Sequence, residues 1–278
     1  MPELPEVESV RLGLAETITG RTVTHVDVLH PRPVRAHPEG APGFASAMTG
    51  RIFTTPRRRG KYLWLPLDDG DAMLVHLGMS GQFRINAPDD PLLRNTRVLF
   101  TLSDGNQLRF VDQRMFGGLS VSPGGADLPA EIAHIAVDPL DPAYDEDAVV
   151  ARMRRSQSGV KRLMLNQGLV SGFGNIYVDE ALWRARVHYD TPGSRISVGR
   201  LRELLGHGRE VLAEALLAGG TSFDALYVHV NGESGYFERA LQAYGREDLP
   251  CERCGTAIVR EPFMNRSSYR CPRCQRRR

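Results

Sequence analysis

The 278-residue sequence predicts an α+β multidomain protein. Three features carry that prediction. Apolar residues recur every three or four positions at the N-terminus, alternate along the following hundred residues, and return to helical spacing after residue 148. Such a succession suits a helix, an antiparallel β unit and a helical unit. All four cysteines stand from residue 251 onward, forming a separate short segment.

Leu4, Val7, Val10, Leu14 and Ile18 define one face of a first helix, which should stop at Gly20, pack down and point Pro2 outward. Initiator methionine is normally removed before a residue as small as proline, which would leave Pro2 as a secondary amine. An α-amino group titrates near pH ~8, so part of it is unprotonated at neutral pH and can act as a nucleophile. Glu3 stands beside it, where a carboxyl could pass protons. The same residues also suit an ordinary helix start, with proline in the first turn and acids near the positive dipole end.

From Thr22 to about Val121 the period is two, as in Val26 and Val28, Leu63, Leu65 and Leu67, or Val98, Phe100 and Leu102. Turn sequences at 68–71 and 103–106 separate such runs, which predicts an antiparallel β-sandwich or barrel closed by the first helix. Residues 1–122 would form this unit, and the Pro- and Asp-rich 123–147 a linker. Helices are expected over Ala148–Gln167 and Ile176–Ala185. A third, marked by Leu201, Leu204, Leu205, Leu212, Ala215 and Leu216, should end at Gly219-Gly220. A polar loop, Thr221–Gly235, completes a unit at 148–236, and 237–278 form the last.

The net charge of +2 conceals segregation. Residues 51–61 carry five basic groups and no acid, 127–147 carry seven acids and no Lys or Arg, and eight arginines follow Cys251. Basic patches apart from an acidic segment suit a polyanion held on one face. Of 35 basic residues only Lys61 and Lys161 are lysine. Arginine cannot surrender a proton near neutral pH and lysine can, so these two positions are candidates for chemistry.

Cys251-x2-Cys254 and Cys271-x2-Cys274 have the spacing of a tetrahedral thiolate site for one structural Zn²⁺, with all four ligand positions filled by protein. So short a segment lacks a core, and metal binding would supply most of its folding energy. Arg266 lies between the two knuckles, where a hairpin tip could offer it to a phosphate. Ser171-Gly172-Phe173-Gly174-Asn175 is a tight turn entering a helix, and helix-start N–H groups favour phosphate. Met79 and Phe116 sit in glycine-broken strand ends and could equally be core residues or, with Arg114, enter a duplex beside an extruded nucleotide. No signal sequence, apolar membrane-length run, GxSxG elbow, Walker loop or HExxH is present, so a cytoplasmic, nucleoid-associated protein is expected.

The MPELPEVE start, RGKYL, HLGMSG, DQRMFGG, KRLMLNQGLVSGFGNIYVDEAL and NRSSY stretches together resemble the bacterial formamidopyrimidine-DNA glycosylases. The resemblance covers nearly the whole chain and implies a helix-two-turns-helix unit and a zinc-ribbon hairpin. It further implies a monomeric bifunctional glycosylase and lyase that flips oxidised purines (8-oxoguanine, formamidopyrimidines) out of damaged double-stranded DNA. By this resemblance Pro2 is the Schiff-base nucleophile, Glu3 the proton donor and acceptor, Lys61 the acid of β-elimination and Arg266 that of δ-elimination. Met79, Arg114 and Phe116 would fill the void, Lys161 and Asn175 would lie at the DNA backbone, and the Thr221–Gly235 loop would cover the extruded base. Two departures stand out. Relatives often carry histidine and lysine as DNA contacts where Asn95 and Gln157 stand, which would shrink the counterion contribution. Met115 replaces a basic residue between Arg114 and Phe116. Competing readings are an endonuclease VIII-like enzyme for oxidised pyrimidines and a DNA-binding protein without chemistry.

Overall fold

The computed structural model describes residues 2–219 and 240–277; the expected Thr221–Gly235 loop and the boundary at 236 lie outside the described residues. The described chain divides into two compact units, one up to His134 and one comprising Ile135–Ala218 with 240–277. Among the described residues no helix is long and apolar enough to cross a membrane.

The first unit opens with α1 (Leu4–Ile18), which buries Leu4, Val7, Val10, Leu14 and Ile18. Gly20, at φ +78°, lets the chain leave the helix without the Cβ penalty of a left-handed residue. Strand β1 (Val23–Val28), helix α2 (Gly40–Met48) and strands β2 (Arg57–Arg59), β3 (Tyr62–Pro66) and β4 (Ala72–His76) follow. β5 (Gly81–Asn86), β6 (Thr96–Leu102), β7 (Gln107–Asp112) and β8 (Gly118–Ser122) complete the unit. Two four-stranded antiparallel sheets result, ordered β1-β6-β7-β5 and β2-β3-β4-β8. One apolar cluster joins Val26, Phe100 and Phe110 of the first sheet, Leu63, Met73 and Leu119 of the second, and Val7, Val10 and Leu14 of α1. This is a sandwich sealed by the first helix. Alternation alone gave no sign of α2, whose small residues (GAPGFASAM) hide a helix anchored by Phe44 edge-on to Phe100.

In the second unit α3 (Glu146–Arg154) and α4 (Val160–Leu165) replace the single helix expected over 148–167. The break has a physical cause: residues 156–159 take partners from 191–194 instead of their own turn. Ser156 and Ser158 carbonyls accept from Ser194 and Gly193, and Gly159 bridges Pro192. α5 (Asn175–Ala185) and α6 (Val198–Leu217) follow, and the chain ends in the hairpin β9 (Val259–Phe263) and β10 (Arg266–Arg270). Glu180 of α5, buried, accepts the backbone N–H groups of Gln242, Ala243 and Tyr244 and so docks the chain entering the hairpin.

Candidate functional site

In the first unit Glu3 is the N-cap of α1, and Glu6 accepts the Glu3 N–H at 2.8 Å in a capping box. Pro2 does not point outward as expected. Pro2 is buried and Glu3 is only 5 % exposed, because the first turn packs on all sides, Leu4 to Val7 being buried too. While Met1 is attached the Pro2 nitrogen is an amide. One turn on, Glu8 accepts from Arg11 and from Arg58, each at 2.7 Å, and Arg58 also donates to the Gly60 carbonyl. Burial pushes the Glu8 carboxyl up, but hydrogen bonds from Arg11 and Arg58 and their charge outweigh it, leaving it below its ordinary value. Through Arg58 the helix therefore grips the Gly60-Lys61 connection of the β2–β3 hairpin. Gly60, at φ +58°, takes the first central position of a two-residue turn, and Lys61 follows it half-buried.

Met79, Arg114 and Phe116 come together from two loops. Met79 is 37 % and Phe116 46 % exposed, and the Arg114 guanidinium lies 5.4 Å from the Phe116 ring centre. The clamp beneath them is Asp112, fully buried, which accepts from the Ser80 hydroxyl at 2.6 Å and the Gly117 N–H at 2.7 Å. Ser80 in turn accepts the Arg114 N–H. Gly78 has φ +65°, and a Cβ there would stand 2.7 Å from the Phe116 and Gly117 backbone, so the loops can approach only over glycine. Apolar groups held half in water on a rigid base are suited to entering a stacked duplex. Asn95 immediately precedes β6, an inner strand paired with β7, its carbonyl accepting the Asp112 N–H and its side chain accepting from Arg97.

In the second unit Asn175 opens α5 behind Gly174, and Gln167 staples the preceding turn by bonding Gly172 N–H and the Phe173 carbonyl. The Asn175 amide donates to the Ser267 carbonyl at 2.8 Å, while its buried Oδ1 has no hydrogen-bond partner among the described residues. Ser267 adjoins Arg266, which is exposed at the start of β10 beside the hairpin tip. Asn175 and Arg266 thus share one pole of the unit. Gln157 is exposed and accepts from Ser194.

Lys161 lies in the interior of the second unit. It is fully buried, with Nζ donating to Asp179 at 2.6 Å and to the Ser267 carbonyl at 3.2 Å, over the Phe263 ring. A buried ammonium must be paired, and this one is, so it braces α4, α5 and the hairpin. Asp179 also accepts from Ser268 and the Tyr269 N–H. Burial pushes its carboxyl up to about 6 against the pull of Lys161. Neither Asp112 nor Asp179 nor Glu8 was singled out from sequence. Each lies inside a short motif beside another polar residue, Gln113, Glu180 or Ser9, where nothing local marks it as buried.

The four cysteine sulfurs all lie within 4.8 Å of one another, with Cys254 3.5 Å from Cys271 and 3.6 Å from Cys274. Tetrahedral zinc with Zn–S near ~2.3 Å places its sulfurs about 3.8 Å apart, so the set fits one structural Zn²⁺. Trp183 and the Cys274 N–H donate to Cys251 and Cys271 sulfurs, support a thiolate needs. Among the described residues the apolar cluster here comprises Trp183, Ala243, Ile258 and the cysteines with Tyr269 beside them, too small to fold unaided.

Three family models match the chain: the formamidopyrimidine-DNA glycosylase N-terminal domain over residues 1–119, its H2TH domain over 135–225, and the zinc finger found in FPG and IleRS over 248–277. A formamidopyrimidine-DNA glycosylase of Nocardioides sp. is 66% identical over 99% of this chain and 94% of its own. One from Salinispora arenicola is 61% identical, covering 100% and 97%. Among solved structures, the Lactococcus lactis enzyme in complex with DNA containing an oxidised pyrimidine superposes with a TM-score of 0.89 at 31% identity, covering 99% of this chain and 100% of that one. A mutant form of that enzyme in complex with a Fapy-dG containing DNA gives 0.88 at 29% over the same coverage.

Proposed function

Because the chain belongs to the formamidopyrimidine-DNA glycosylase family, we propose that it carries out both base excision and strand cleavage at oxidised purines in duplex DNA. Members of this family are DNA glycosylases of base excision repair, and so is this chain. The finer reading assigns roles to residues. With Met1 removed, the Pro2 nitrogen attacks C1′ as the glycosidic bond breaks, and the departing base takes a proton by way of Glu3. The C1′–O4′ bond then opens, O4′ taking a proton by way of Glu3, and the iminium so formed acidifies C2′–H. Loss of that proton expels the 3′ phosphate with Lys61 as acid, and a second elimination expels the 5′ phosphate, whose charge the Arg266 guanidinium stabilises as it departs. Met79, Arg114 and Phe116 occupy the gap left by the flipped nucleotide, whose unstacking costs a few kcal/mol. Asn175 holds the backbone beside the lesion. Asn95 and Gln157 bond phosphates as neutral donors, adding little counterion release. Zinc acts only in folding the hairpin.

We assign catalysis to residues 1–122, a linker to 123–147, DNA binding to 148–236 and the zinc hairpin to 237–278, in a protein working as a monomer within the cytoplasm. The observation that carries the reading is the Glu8–Arg58–Gly60 connection, which ties the helix bearing Pro2 and Glu3 to the turn bearing Lys61. A second reading, preference for oxidised pyrimidines, is favoured by the lesion in one Lactococcus lactis complex. Borohydride trapping on duplexes with 8-oxoguanine, an oxidised pyrimidine or no lesion separates them. A covalent band on 8-oxoguanine that Pro2→Gly removes supports the first reading, and a band mainly on the pyrimidine supports the second. No band from protein whose N-terminus is Pro2 refutes covalent chemistry.

A further inference from the structure

The second unit has another pole. α5 runs along the ribbon from hairpin tip to metal knuckles: Asn175 at its start bonds Ser267, and Trp183 near its end bonds Cys251. Asn175 and Trp183 are eight residues apart, so at ~1.5 Å per residue these ends stand roughly 12 Å from one another. At the far end lies a pocket of about 960 Å³ lined by Arg186, Arg195, Arg200, Arg253, Arg273 and Arg276. No acidic residue lines it. Arg253 is structural, lying over the Trp183 ring and donating to the Trp183 and Arg184 carbonyls, and Arg200 pairs with Glu203. The other four, all exposed, make no side-chain hydrogen bond or ion pair with a described residue, in a chain whose arginines are commonly paired. Zn²⁺ with four thiolates carries a charge of −2, and with Glu203 it offsets only half of the six guanidinium groups.

We propose that this pocket is a second phosphate-binding site, which takes the backbone of a nucleic-acid segment other than the one at the Asn175–Arg266 pole. That a first segment occupies the Asn175–Arg266 pole rests on the function proposed above. Guanidinium forks match phosphate oxygens bidentately, and four of them in one concave wall have no other ligand of that charge within the described residues. A chain holding DNA at both poles could pass between duplex segments without full release.

The test uses zinc-loaded full-length protein trapped by borohydride on an unlabelled lesion duplex, then titrated with a fluorescent lesion-free duplex. The expected result is binding of one further duplex. The variant R186Q/R195Q/R273Q/R276Q should trap normally but bind the further duplex at least tenfold more weakly, its salt slope flatter by roughly 0.9 for each phosphate it no longer neutralises. Equal binding by the variant, no binding of a further duplex by the wild type, or weakened binding of the lesion duplex by the variant would each overturn the proposal. In the last case the pocket merely extends the lesion footprint. Tripolyphosphate and polyglutamate serve as competitors, and displacement by polyglutamate at lower charge concentration than by DNA would assign the pocket to acidic protein. If nothing traps, the proposed chemistry fails while the pocket is still tested by stoichiometry: two duplexes per chain support it and one overturns it.

Discussion

Lys161→Met should be the most damaging single change in the second unit. The ammonium and the Asp179 carboxylate are both 0% exposed and 2.6 Å apart, so removal of the lysine strands a charge where water cannot reach it. Breaking such a pair from one side costs about 3–5 kcal/mol. Methionine keeps the stem volume, so little of this comes from a cavity. Neutralisation of Asp179 limits the penalty. Its carboxyl already stands at about 6 with Lys161 in place, and burial drives it higher without the lysine. A carboxyl raised in the folded state binds its proton more tightly there than when unfolded, so the variant's deficit should be largest near pH 8 and shrink as pH falls toward 6. Urea titration and calorimetry read this out, at roughly 2–4 °C per kcal/mol for a chain of this size. Lys161→Met/Asp179→Asn should recover about 2 kcal/mol, since the asparagine carbonyl still accepts from Tyr269. A single variant losing under 1 kcal/mol, or a double variant no better than the single, would refute the buried-pair reasoning. DNA affinity should fall with stability, because Ser267, which Lys161 holds, also holds Asn175.

Asp112→Ala removes the acceptor of Ser80 and Gly117 and should slow excision about 10- to 100-fold in single-turnover assays, through misplacement of Met79, Arg114 and Phe116; an unchanged rate would dismiss the clamp. Glu8→Gln should cost about 1–2 kcal/mol at pH 7. Because the folded Glu8 carboxyl lies below its ordinary 4.5, that stabilisation is complete above this value and is lost as pH falls through the folded one, so wild type and variant should converge in acid melts. Chelation of zinc should unfold residues 240–277 and abolish DNA affinity by anisotropy. Normal binding by metal-free protein would show that the small cluster around Trp183 suffices.

Local pattern was enough for much of this protein. The spacing of Leu4 to Ile18 set the bounds of α1, alternation marked an antiparallel β unit without choosing sandwich over barrel, and four cysteines in two CxxC pairs named their metal, because each signal depends only on near neighbours. Tertiary structure alone decided the rest. It split 148–167 where Gly193 and Ser194 offer the backbone better partners, made a helix of the small residues at 40–48, and enclosed Pro2 in a crowded first turn. Lys161 shows the difference most plainly. Its rarity marked it for notice, but a lysine's sequence neighbours do not reveal whether it faces water. Asp179 lies 18 positions away and Ser267 106, and only the fold brings both to its ammonium.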